Sequence, residues 1–176
     1  MDNKDKETAK QFYTLLVYSE NVVGVLNQVT AVFTRRQVNI ESLNVSASSL
    51  EGIHKYTITC WSAPGQIEKK IDVIKANYYT NEELFIHEVA IFKISTPVLL
   101  DNSEISRVIR KYGARMMEVN PTYSTVLQAG LTEDITDLYE QFNRFRCILQ
   151  YTRSGHIAVT RSFDEPVTDY LNKHQE

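Results

Sequence analysis

Gly24 stands at the mouth of an apolar periodic run and Asn39 at the head of the segment that follows, both within ENVVGVLNQVTAVFTRRQVNIESL, residues 20–43. The first N–H groups of a helix have no intrahelical acceptor and lie at the positive end of the helix dipole, so a carboxylate can dock there. Glycine at that point lets a ligand come close to the backbone. Asparagine carries a donor and an acceptor on one side chain and can meet an ammonium as well as a carboxylate. Together these residue types suit a zwitterion, that is, a free amino acid. They also have an ordinary explanation, because glycine near a helix start and asparagine in a turn are common. Type and spacing alone leave both readings open.

Other chemistry finds less support. His54, His87, His156 and His174 have no i,i+4 partner and no neighbouring cysteine, so metal binding is not expected. No Gly-x-Ser-x-Gly elbow, phosphate-binding loop or GxGxxG is present, and catalytic residues are not expected. Glu82 and Glu83 are adjacent and point in different directions, which suits a solvated loop. Arg107, Arg110 and Lys111 read as the wet face of a helix. Cys60 and Cys147 lie far apart and outside any ligand spacing, as expected of buried thiols in a reducing compartment.

The elements that would carry these residues follow from periodicity. FYTLLVYS, Phe12 to Ser19, reads as a strand buried on both faces. Val22, Val25, Leu26, Val29, Val32 and Phe33 recur at helical spacing, predicting a helix over Val22 to Arg36. Alternation from Asn39 predicts a half-buried strand, a turn at Glu51-Gly52 and a return strand through Tyr56, Ile58 and Cys60. Pro64 opens a short predicted helix that Gln66 to Ile71 continue, before Ile74, Ala76 and Tyr78 alternate in a strand.

The same order then repeats. VAIFKIS, Val89 to Ser95, is a strand; residues 101–104 cap a helix with Ile105, Val108, Ile109 and Tyr112 inward; Ala114 to Asn120 and Ser124 to Ala129 are strands. Thr132 is expected to cap a helix carrying Ile135, Leu138, Tyr139 and Phe142, followed by strands over Cys147 to Thr152 and His156 to Arg161. The fold class is therefore α+β, with two tandem ferredoxin-like βαββαβ modules over residues 12–80 and 81–163, a flexible N-terminus over 1–11 and a flexible tail over 164–176. A 43% hydrophobic content supplies a core, and a net charge of -3 disfavours nucleic acid as partner. The N-terminal residues are polar, without the apolar core of a signal peptide, and no apolar run is long enough for a bilayer, so a cytoplasmic location is expected.

NVVGVLNQVTAVFTRRQVNIESLNV closely resembles the N-terminal ACT motif of the regulatory (small) subunit of acetolactate synthase, also called acetohydroxyacid synthase; EVNPTYSTVLQAG and YTRSGHIAVTR resemble C-terminal segments of the same family. The likeness covers Phe12 to Arg161. It implies an N-terminal ACT domain that dimerises side by side and binds valine or another branched-chain amino acid at the dimer interface. Carried across by motif, Asn21, Gly24 and Asn39 would make the polar contacts, with Val22, Val23, Val25 and Ile40 as backbone donors or apolar wall. It further implies a non-catalytic homodimer that activates a separate catalytic subunit, confers feedback inhibition, and has no cofactor of its own. Thiamine diphosphate, magnesium and FAD would belong to that catalytic partner.

Two departures stand out. Where the family commonly has glycine after the paired arginines, this chain has Gln37, so either a non-glycine residue adopts a left-handed conformation there or another turn replaces it. The segment from Trp61 to Ile71 is also short for the family's second ACT helix. A reading from another class is a free-standing ACT-type amino-acid sensor controlling transcription, which predicts a DNA-binding segment.

Overall fold

The computed structural model describes residues 10–63, 75–163 and 167. Its contacts divide the chain into two compact units, one up to Phe85 and from Ala158 onward, the other Ile86–Ile157. The architecture is α+β, with two modules of βαββαβ type.

The first unit holds β1 (Gln11–Glu20), α1 (Val25–Arg35), β2 (Ile40–Ala47), β3 (Ile53–Ser62) and β4 (Lys75–Tyr79) in an antiparallel sheet of order β2-β3-β1-β4. β1 lies between β3 and β4 in the sheet, and its side chains are buried on both faces, as its unbroken apolar run predicts. Leu15 and Val17 face α1 and pack with Val29, Phe33, Val38, Tyr56, Ile58 and Cys60. Leu16 and Tyr18, on the other face, are equally inaccessible. The turn between β2 and β3 places Gly52 at φ 76, a conformation that glycine adopts without steric cost. The helix expected from Pro64 lies outside the described residues.

The helix predicted from Val22 starts at Val25, because Gly24 has φ 91 and ψ -11 and cannot be part of a right-handed turn. The far end of α1 settles the turn at Gln37. Gln37 has φ 54, the Val38 N–H donates to the Phe33 carbonyl at 3.0 Å, and the Gln37 N–H donates to the Thr34 carbonyl at 3.1 Å. This is a Schellman ending built without glycine. Val38 and Phe33 share the core, which supplies the apolar contact such endings use.

The second unit is built on β5 (Leu84–Ser95) from Ile86 onward, α2 (Thr96–Asp101), α3 (Ser103–Lys111), β6 (Arg115–Val119), β7 (Tyr123–Gly130), α4 (Thr132–Arg144) and β8 (Ile148–Arg153), with sheet order β6-β7-β5-β8; β9 (Ile157–Thr160) falls in the first unit from Ala158. Ala90, Phe92 and Ile94 alternate inward and pack with Ile105, Ile109, Val126, Ile135, Leu138, Phe142 and Cys147. Phe92 meets Phe142 edge-on at 5.1 Å, a favourable aromatic geometry. The short helix α2 is not signalled by periodicity; Pro97 sits in its first turn. Asn102 caps α3, its Oδ1 accepting from the Glu104 N–H at 3.0 Å. Glu82 and Glu83 lie in a short 3-10 turn closed by a Thr80–Glu83 capping box.

Thr132 does not cap α4 as expected. The capping position is Leu131, and the Thr132 hydroxyl donates instead to the buried Glu88 carboxylate at 3.0 Å. Gly113 and Arg146, at φ 63 and φ 51, end α3 and α4 as Gln37 ends α1. The tail beyond Phe163 lies outside the described residues except for Val167, which is buried.

Candidate functional site at the head of the first helix

β1 delivers the chain to Glu20, and residues 21–24 form the turn into α1. That turn is fixed from below: the Asn21 N–H donates to the Gly52 carbonyl at 3.0 Å, tying it to the β2–β3 turn. The Val22 N–H donates to Glu20 and the Val25 N–H to Val22, so these backbone donors are committed within the chain. Gly24 has no side-chain cap beside it, and a Cβ built on it meets nothing within 4 Å. Glycine is thus required here by φ, and the space beside it is open. Leu26 and Asn27, in the first turn of α1, carry N–H groups of the kind that a helix cannot satisfy internally.

Val22, Val23 and Leu26 are exposed, Val23 completely, whereas Val25 packs against the core. Three bulky apolar side chains in water around an uncapped helix N-terminus suit a partner that brings both negative charge and apolar surface. Asn39 is exposed, and Ile40, next to it, opens β2 and packs on the core.

Within one chain these residues form two groups. Asn21, Val22, Val23, Gly24 and Val25 share the N-terminal turn, while Asn39 and Ile40 follow the C-terminal end of α1. An 11-residue helix separates them, about 16 Å at 1.5 Å per residue. One copy therefore holds these two groups at opposite ends of one helix.

A second polar centre, which the sequence reading did not single out, lies in the Ile86–Ile157 unit. Glu88 is 1% exposed; its Oε1 accepts from Thr132 Oγ1 and lies 3.3 Å from His156 Nε2, and its Oε2 lies 3.6 Å from Arg153. Burial holds the His156 pKa below its ordinary value, with Arg153 lowering it further and Glu88 opposing both. The same ring nitrogen faces Thr132 at 3.2 Å and Glu88 at 3.3 Å. A nucleophilic relay needs the acid on one ring nitrogen and the hydroxyl on the other, so this arrangement anchors α4 to β5 and does not activate Thr132. The signal was present in the sequence: Glu88 is in phase with the inward residues Ala90, Phe92 and Ile94.

Cys60 and Cys147 are free and buried, and burial raises both thiols to about 11. Among the described residues no three His, Cys, Asp or Glu gather as a metal site, and no helix is long and apolar enough to cross a membrane.

Comparison with known proteins matches two separate stretches of the chain to family models. Residues 15–75 match a family model described as an AHAS small subunit-like ACT domain, and residues 87–162 match the model for the small subunit of acetolactate synthase. The acetolactate synthase small subunit of Bacillus subtilis is 29% identical over 161 residues, spanning 86% of this chain and 91% of that one. The probable acetolactate synthase small subunit of Methanothermobacter thermautotrophicus is 31% identical over 149 residues, spanning 81% and 88%. The crystal structure of the small subunit from Thermotoga maritima superposes with a TM-score of 0.77 at 20% identity, covering 88% of this chain and 99% of that one, a likeness of fold.

Proposed function

The chain belongs to the acetolactate synthase small-subunit family, and from that premise we propose that it is a non-catalytic regulatory subunit that senses valine or a related branched-chain amino acid and controls a separate catalytic subunit. The ACT domain is assigned to residues 12–80 and the ferredoxin-like domain to 81–163. The condensation of pyruvate with a second 2-oxo acid, and the thiamine diphosphate, magnesium and FAD it uses, belong to the catalytic partner.

The observation that carries this reading is the open, left-handed Gly24 at the uncapped head of α1. The amino acid's carboxylate is met at the uncapped head of α1, by the Leu26 and Asn27 N–H groups beside Gly24 and by the Asn21 side chain, and its branched side chain by the exposed Val22 and Val23. Asn39 supplies the other polar contact. Because Asn39 lies at the far end of α1, a complete site takes Gly24 from one copy and Asn39 from a second whose α1 runs antiparallel, so dimerisation and ligand binding are one event. Discrimination among valine, leucine and isoleucine is modest, since one methylene in an apolar pocket is worth about 1–3 kcal/mol.

Feedback follows only if the ligand binds the less active state of the complex more tightly, typically by about 1–3 kcal/mol of coupling. The test is to mix the chain with its catalytic subunit and follow acetolactate formation with and without valine. A raised rate that valine lowers supports the reading, and an unchanged rate in both conditions defeats it.

A further inference from the structure

β6 is an end strand in the order β6-β7-β5-β8, and all five of its residues are exposed. Edge strands that guard against association are usually blunted with lysine or proline. This one instead presents Met116, Met117 and Val119, 39%, 57% and 60% exposed.

The charges on the strand are arranged by its bulge. Arg115 opposes Leu127 and Met116 opposes Val126, but Glu118 opposes Thr125, so Met117 is the extra residue. Val126 points into the core, which puts Leu127 and Thr125 on the outer face of the sheet, and Arg115 and Glu118 with them. Without the bulge, residues three apart would point to opposite faces. Glu118 Oε1 is held by the Tyr123 hydroxyl at 3.1 Å and the Asn120 side chain at 3.4 Å, which limits its motion.

We propose that β6 pairs antiparallel with β6 of a second copy about a two-fold axis, Arg115 of each copy opposite Glu118 of the other. A two-fold contact must be self-complementary, and a strand carrying one cation and one anion on the same face meets that condition. Two residues separate the charges on each strand, so the two bulges face each other at the axis and no register offset arises. Met116 and Met117 of both copies then close over the axis and leave water. This interface shares no residue with the Gly24 and Asn39 half-sites and stands apart from the functional reading.

Sedimentation equilibrium of the full chain tests it. Arg115→Glu and Glu118→Arg each place like charges opposite one another twice per interface, and each weakens the β6 association step roughly tenfold or more while leaving dimerisation through α1 unchanged. Arg115→Glu combined with Glu118→Arg restores the pairing with signs exchanged and recovers near-native association. Met117→Lys, at an exposed bulge, weakens it without touching the charge pair and serves if a charge variant fails to fold. A native chain that does not self-associate, single variants that associate like the native chain, or a double variant no tighter than the singles would overturn the proposal.

Discussion

The Val38 N–H reaches back to the Phe33 carbonyl at 3.0 Å, and the residue before Val38, Gln37, is carried into the left-handed region at φ 54. The turn that delivers the chain to Asn39 is thus set by a backbone bond and a shared core contact, and Gln37 conforms to it. A non-glycine residue there costs about 1–2 kcal/mol, partly offset by its smaller loss of backbone entropy. Gln37→Gly should therefore raise stability by about 0.5–1 kcal/mol in denaturant unfolding and leave valine affinity within about twofold. A large gain in affinity would mean that the native turn misplaces Asn39.

Gly24 is the converse case. At φ 91 any side chain is strained although the space beside it is empty, so Gly24→Ala should destabilise by about 1–2 kcal/mol and weaken valine binding in calorimetry. Asn39→Ala should weaken binding while leaving the unfolding midpoint near native, because Asn39 is exposed. If Asn39→Ala binds valine like the native chain, the half-site at the far end of α1 is wrongly placed.

Glu88→Gln keeps the shape of the buried side chain and removes its charge. Thr132, His156 and Arg153 all address that carboxylate, so the variant should lose about 1–3 kcal/mol in urea unfolding. Protection of α4 amides in hydrogen exchange should fall with it, since Thr132 begins that helix.

His156 gives the same cluster a pH dependence of definite sign. Its folded pKa is held below the unfolded value near 6.5, so the unfolded chain binds the proton more readily. The stability this group contributes is complete above about pH 6.5 and is lost as the pH falls toward and through the lowered folded value. Urea midpoints taken from pH 7.5 down to 5 should fall more steeply for the native chain than for His156→Gln. Parallel curves would count against the assignment.

With both thiols raised to about 11 and buried, reaction with a thiol reagent at pH 8 should be slow in the native chain and rapid in urea.

Sequence periodicity located β1, α1, the β2–β3 hairpin and the core of the second unit, because each buries one regular stripe or a whole strand. It misjudged local detail where tertiary demand overrode propensity. Thr132 has the composition of a cap, yet the buried Glu88 carboxylate captures its hydroxyl. Val22 fits the helical phase of α1, yet Gly24 ends that phase by its backbone angle, which periodicity does not register. That Gly24 and Asn39 stand at the two ends of one helix was legible in their order along the chain; the committed N–H groups of Asn21, Val22 and Val25 were not, since backbone hydrogen bonds leave no mark in residue type.

β1 has six consecutive inaccessible residues, Thr14 to Ser19, where most strands alternate. In evolutionary terms this segment has no neutral side on which substitutions can drift. A saturation library selected for folding should be depleted at every one of these positions, while the exposed residues of β2 vary freely, and the slowest-changing part of the chain would then be a strand that never touches the ligand.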